Sequence, residues 1–111
     1  MTWQRTKPVE ATELTDDQLA SRVYQRAGCA GSRLDPDEWF PVSPEVAKAR
    51  HQAASAIAVC IACPVRAYCL EYSLRHAYDI GAYGVWGGLV ENERRSLRRK
   101  WLAGTSVTEL I

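Results

Sequence analysis

The sequence carries almost no net charge, no long apolar run and only two histidines, and each shortage removes a class of function. A formal charge of +1 over 111 residues excludes bulk electrostatic attraction as the basis of nucleic-acid binding. The most apolar stretch, Ala56 to Cys63, has eight residues, against the roughly 20 that a membrane-spanning helix needs. No membrane segment is expected. The amino terminus shows no apolar core of the kind a secretory signal contains. His51 and His76 stand apart on helical segments and read as surface residues, and no serine, histidine and acid constellation suggests catalysis. Internal repeats and low-complexity tracts are absent. No stretch alternates polar and apolar residues long enough to make a strand.

What remains is an all-α chain of one small domain. Apolar residues at 47% and charged residues at 24% exclude disorder throughout, and the length supports about four helices around one modest core. Residues 1–14 are polar, contain Pro8, show no steady period and read as a flexible arm. Thr15-Asp16-Asp17-Gln18 has the form of a capping box and starts a helix that Gly28 ends. Ser43-Pro44-Glu45 is a second start signal, with a helix predicted from Glu45 to Ile61. A third helix is predicted from Pro64 to about Ala77, and a last one from Glu91 to Leu102. Between those two, Gly81, Gly84, Gly87 and Gly88 predict a tight turn or short hairpin around Val85-Trp86. The domain is expected over residues 15–103, with residues 104–111 a short frayed tail.

The chain has four cysteines, spaced Cys-x30-Cys-x2-Cys-x5-Cys. A chain without a leader reads as cytoplasmic, where thiols serve as metal or redox ligands more often than as disulfides. Cys60 and Cys63 share one helical face, Cys69 follows on the next helix, and Cys29 must return across a long excursion. Four thiolates converging on one site would pin separate helices together, a large stabilising role in so small a domain. Zinc sites with four cysteines draw on two close pairs, whereas one isolated cysteine plus a group of three is nearer the iron–sulfur pattern. Spacing alone leaves both open, together with disulfides.

Cys29, Cys60, Cys63 and Cys69, followed by Gly84-Val85-Trp86-Gly87-Gly88, resemble the WhiB-like family of actinobacterial and actinophage transcription regulators. Asp35-Pro36 with Trp39-Phe40 between the first two cysteines fits the same resemblance, which covers about residues 20–100. The resemblance implies a [4Fe–4S] cluster on the four cysteines, sensitivity to oxygen and nitric oxide, and binding to the carboxy-terminal region of the primary sigma factor, as a monomer in a 1:1 complex. The chain departs from the pattern in three places. Val23-Tyr24 stand where many members have a tryptophan, Trp39-Phe40 where two phenylalanines are common, and Leu89-Val90 supply no side-chain oxygen to cap the last helix. The missing cap is expected to cost about 1 kcal/mol.

Trp86 reads either as a core residue closing the hairpin or as an aromatic anchor for a protein partner. The resemblance favours the anchor, with Gly84, Val85, Gly87 and Gly88 around it and Trp39 and Phe40 as further contacts. The positive surplus lies past Gly88, where 5 basic residues face 3 acidic ones. Arg94, Arg95, Arg98 and Arg99 are read as one basic stripe on the last helix, with Lys100 beside them, while Val90, Leu97 and Trp101 form an apolar one. That stripe is either a solvated face or a set of phosphate contacts. The chain has no Arg-Gly-Arg-Pro hook of the kind some WhiB-like proteins carry, so any contact with promoter DNA is expected to be weak alone. Two other readings compete: a thiol–disulfide oxidoreductase using Cys60 and Cys63, and a zinc-stabilised DNA-binding module.

Overall fold

A computed structural model describes residues 9–111, and among them every regular element is helical. The chain order is α1 (Asp16–Arg26), α2 (Val46–Gln52), α3 (Ala54–Ile61), α4 (Arg66–Arg75), α5 (Glu91–Leu102) and α6 (Val107–Leu110), joined by short 3-10 turns. No single helix among the described residues is long and apolar enough to cross a membrane.

The start signals explain most of these boundaries. Thr15 Oγ1 accepts the Gln18 N–H at 3.2 Å, and Gln18 Oε1 accepts the Thr15 N–H at 2.9 Å. This reciprocal box satisfies two of the amides that every helix leaves unpaired. Thr15→Ala should therefore cost about 1 kcal/mol, read in urea denaturation as a lower midpoint with unchanged slope. A second box precedes the 3-10 turn Pro36–Trp39: Asp35 Oδ1 accepts from Asp37, and Glu38 Oε2 accepts from Asp35. It sets the direction in which Trp39 and Phe40 leave the loop.

The helix predicted from Glu45 to Ile61 is broken at Ala53, and it starts at Val46. Ser43 Oγ accepts the Glu45 N–H at 3.2 Å, which holds Glu45 extended just ahead of the first turn. At the other end of α2, Gln52 Oε1 accepts the Val42 and Ser43 N–H groups and ties that turn back to the loop before it. The missing oxygen at Val90 is partly made good, because Glu93 Oε1 accepts the Val90 N–H at 3.3 Å.

Two apolar clusters form the core. One gathers Ala11, Leu14, Leu19, Leu70, Leu74, Leu89 and Val107; the other runs along α2 and α3 through Ala49, Ala53, Ala56, Ile57 and Cys60 to Val85 and Val90. The first cluster corrects both chain ends. Residues 1–8 of the expected arm lie outside the described residues, but Ala11 and Leu14 are buried and Ala11–Glu13 form a 3-10 turn. Val107 is 1% exposed against α4, so the carboxy-terminal segment is a packed helix and not a frayed tail. Ala11 and Leu14 at one end, and Val107 with Leu110 at the other, bury apolar area that offsets the cost of ordering these segments.

One buried ionic group joins the elements at this end. Glu71 is 1% exposed; it accepts Arg75 Nε at 2.9 Å and Trp101 Nε1 at 3.0 Å. Arg75 continues to Asp16 Oδ1 at 3.0 Å and to the Ala11 carbonyl at 3.2 Å. A carboxylate this deep is tolerable because both of its oxygens are hydrogen-bonded.

Candidate iron–sulfur site and partner surface

Three short segments bring the cysteines together. Gly28–Gly31 is a 3-10 turn that presents Cys29, α3 ends just after Cys60 with Cys63 in the following turn, and α4 carries Cys69. All four cysteines are unbridged and line one cavity of about 360 Å³. The Gly28 N–H donates to Cys63 Sγ at 3.3 Å, which ties the first turn to the second. Among the described residues no three Cys, His, Asp or Glu groups close on a single ion.

The glycine turn closes this cavity. Trp86 and Leu89 exchange N–H···O=C bonds at 3.1 and 3.0 Å, leaving Gly87 and Gly88 as a two-residue hairpin loop with φ of +58° and +80°. Positive φ at both central residues is the type I′ geometry, which side chains other than Asn, Asp or Gly resist. A Cβ on Gly87 would also lie 2.8 Å from Leu70 Cβ. The hairpin tip thus sits directly on α4, beside Cys69.

The polar groups of the turn divide into two sets. Its carbonyls face arginines: Gly87 O accepts Arg66 Nε at 2.9 Å, Gly88 O accepts Arg50 Nη1 at 3.3 Å, and Gly81, Gly84 and Leu89 all accept from Arg94. Its tip backbone lies on the sulfur side, Gly88 by Cys60 and Gly87 by Cys69. Burial pushes the Cys69 thiol up to about 12 and raises that of Cys60 as well, with the adjacent glycine backbone opposing the rise. Such a pocket disfavours bare thiolates and favours them once a cationic group shares their charge. Four cysteine sulfurs within apolar walls fit what an iron–sulfur cluster requires of its ligands.

Aromatic side chains surround the same cavity. Trp39, Phe40, Tyr24, Tyr83 and Trp86 all contribute to its wall. Trp39 is half-buried against the second core cluster, and its carbonyl accepts the Val85 N–H at 2.9 Å. Phe40, Tyr24 and Tyr83 are 55%, 66% and 66% exposed. Trp86 is half-buried: its Nε1 donates to the Tyr83 carbonyl at 2.9 Å and its ring lies 6.2 Å from that of Tyr72. Gly84 packs against Phe40, so that a Cβ there would stand 2.8 Å from the ring. The residues singled out in sequence as ligands and as partner contacts therefore belong to one place in the fold.

The basic stripe is altered. Arg94 is 3% exposed; Nη1 donates to Gly84 O and Leu89 O at 2.5 and 2.6 Å, and Nη2 to Gly81 O at 3.0 Å. Burial lowers its pKa to about 10, so it remains a cation at neutral pH. Arg94 is a clamp on the glycine segment and is not available to DNA, which corrects its place in the stripe. The helical wheel held the signal, since Arg94 falls about 40° from Val90 and within the apolar stripe. Arg95, Arg99 and Lys100 are exposed. Arg98 is half-buried, donating to the Leu74 carbonyl at 3.2 Å and lying over Tyr78 and Trp101. These arginines border a cleft of about 300 Å³ that shares no lining residue with the cysteine cavity.

Arg50, Arg66 and Glu93 are functional neighbours that sequence reasoning did not identify. Only Arg66 had a sequence signal, its position midway between Cys63 and Cys69.

Comparison with known proteins agrees with this arrangement. The family described as "Transcription factor WhiB" matches residues 24–97. The transcriptional regulator WhiB2 of Mycobacterium tuberculosis is 39% identical over 92 residues, covering 83% of this chain and 82% of that protein. WhiB1 of Bifidobacterium longum is 44% identical over 82 residues (74% and 85%). WhiB of Streptomyces coelicolor is 41% identical over 87 residues (78% and 87%).

Proposed function

The chain belongs to the WhiB family of transcription factors, and from that premise we propose that it regulates transcription in the cytoplasm by docking on the carboxy-terminal region of the primary sigma factor while its four cysteines hold a [4Fe–4S] cluster. One observation carries this reading. The cysteine cavity and the exposed aromatic rim share a wall, so whatever fixes the sulfurs also fixes the surface offered to a partner. When bound, an iron–sulfur cluster supplies redox chemistry and reactivity toward oxygen and nitric oxide.

The chain's own residues do the rest. Cys29, Cys60, Cys63 and Cys69 tie the 3-10 turn Gly28–Gly31 to the end of α3 and to α4. Trp39 and Val85 join that frame to the hairpin through one backbone hydrogen bond. Trp86, Phe40, Tyr24 and Tyr83 then present apolar area with few rotamers to freeze, which is the composition of an interface hot spot. Releasing the sulfurs frees these segments from a common anchor and dissolves the docking surface, giving control by local unfolding. Arg95, Arg99 and Lys100, with part of Arg98, lie on a separate exposed face of α5 and reach promoter phosphates once the sigma factor holds the protein nearby. One such rim among the described residues supports a 1:1 complex with a monomer.

The oxidoreductase reading is weaker on the same geometry. Cys60 and Cys63 lie at the end of a helix with two further cysteines around them, away from the strand-to-helix junction that such enzymes use.

Anaerobic co-purification with the sigma factor's carboxy-terminal domain tests the proposal. Wild type is expected to be brown, to carry iron and sulfide near four each per chain (about the ratio of the cluster), and to retain the domain. Trp86→Ala should keep its iron and lose the domain at least tenfold more readily, and Cys63→Ser should lose both. A colourless wild-type protein with one zinc, or equal retention by all three proteins, overturns it.

A further inference from the structure

Among the described residues, Arg66 is the one charged side chain, cysteines aside, in the wall of the cysteine cavity. It opens α4, three residues after Cys63 and three before Cys69, and it is half-buried. Its Nε donates to the Gly87 carbonyl at 2.9 Å. A Cβ on Gly88 would meet its Nη2 at 3.1 Å and its Nε at 3.3 Å, so the guanidinium lies flat beneath the hairpin tip.

Two consequences follow from this position. Gripping the Gly87 carbonyl fixes the tip on the α4 side, where Gly87 packs on Leu70, next to Cys69. The fixed positive charge also stands in the wall of the cavity that the four sulfurs line. Other arginines near the turn are engaged elsewhere: Arg50 pairs with Glu93 at 2.7 Å, and Arg94 is buried against three carbonyls. Neither lines the cavity.

We propose that Arg66 is a positioning and charge-compensating residue for the cysteine-held group, raising its reduction potential and slowing its loss. This rests on the iron–sulfur reading above. Four thiolates on an oxidised [4Fe–4S] core leave a site charge of about −2, and one-electron reduction makes it about −3. A nearby cation stabilises the more negative state more strongly, so it shifts the midpoint upward. The same side chain holds the hairpin tip over that end of the cavity through the Gly87 carbonyl.

The test is redox titration of anaerobically reconstituted protein at an electrode, comparing wild type with Arg66→Gln and Arg66→Lys. Gln keeps a donor for the Gly87 carbonyl without the charge, and Lys keeps the charge without the planar fork. Arg66→Gln is expected to move the reduction equilibrium about tenfold toward the oxidised form, about 59 mV lower for one electron. Arg66→Lys should recover most of that shift. Cluster absorbance should also fade several-fold faster in air for Arg66→Gln than for wild type. Wild-type protein that takes up no iron overturns both the inference and the reading beneath it. Iron in all three proteins with equal midpoints overturns the role of Arg66 and leaves the cluster reading standing. If Arg66→Gln does not load, Arg66→Lys decides: wild-type iron content supports the charge requirement, and absence of iron overturns it.

Discussion

Arg94→Met should lower stability by about 3–5 kcal/mol, most of what a domain this size has to spare. The side chain of Met fills a similar volume, so the loss is not a cavity effect. It comes from the carbonyls of Gly81 and Gly84, which would lose their donor at once, and from that of Leu89, which would keep only the Trp86 N–H. Each unpaired buried carbonyl costs about 1–3 kcal/mol, partly offset because a guanidinium no longer has to be buried. The offset is real, since burial already holds Arg94 near a pKa of about 10. Arg94→Lys should recover less than half of the loss, because an ammonium cannot reach three carbonyls with a fixed fork. Urea denaturation of the anaerobic protein reads both variants. An Arg94→Met protein within 1 kcal/mol of wild type (about the worth of a single hydrogen bond) would show that the clamp is not structural. Arg99→Met, on the exposed side of the same helix, should change stability by less than about 0.5 kcal/mol.

Gly81→Ala should be nearly as damaging, at about 3 kcal/mol or more. The reason is contact with backbone and not torsion. A Cβ at Gly81 would stand 2.0 Å from the Ser73 carbonyl oxygen and 2.8 Å from that of His76. Neither atom can swing aside, because both belong to the carboxy-terminal end of α4 and its cap. The chain must instead lift off α4, which breaks the Gly81 N–H bond to His76 O (2.8 Å) and the Arg94 bond to Gly81 O (3.0 Å). Gly31→Ala is the matched control. No atom lies within 4 Å of a Cβ there, so its thermal midpoint should stay within a few degrees of wild type. Equal midpoints for the two variants would mean that the close approach at Gly81 relaxes without cost.

These two residues show where sequence reading succeeded and where it stopped. The capping box at Thr15, the span of α5 and a tight turn within the glycine segment were legible because each depends on neighbours within a few positions, although the loop falls at Gly87-Gly88, just past the expected Val85-Trp86. The cysteine spacing pointed to a shared site for a similar reason, since short spacing on helices limits where sulfurs can face. Arg94 was misassigned because a run of arginines reads as one solvated face, although its angle on the wheel already placed it among Val90, Leu97 and Trp101. The chain ends were misassigned because Ala11, Leu14 and Val107 have no periodic apolar company in sequence and find it only across space, on α4.

Local chemistry therefore settled the class of fold, the capped start of α1 and the span of α5, and it pointed to the four cysteines as one site. Packing over long separations settled which charges are buried, which glycines cannot be replaced and which aromatics stay exposed. The difference is physical. Helix caps and type I′ turns are satisfied by atoms a few bonds away, whereas the carbonyls of the glycine turn need donors from α2, α4 and α5. No pattern within one segment reports a partner that another segment supplies.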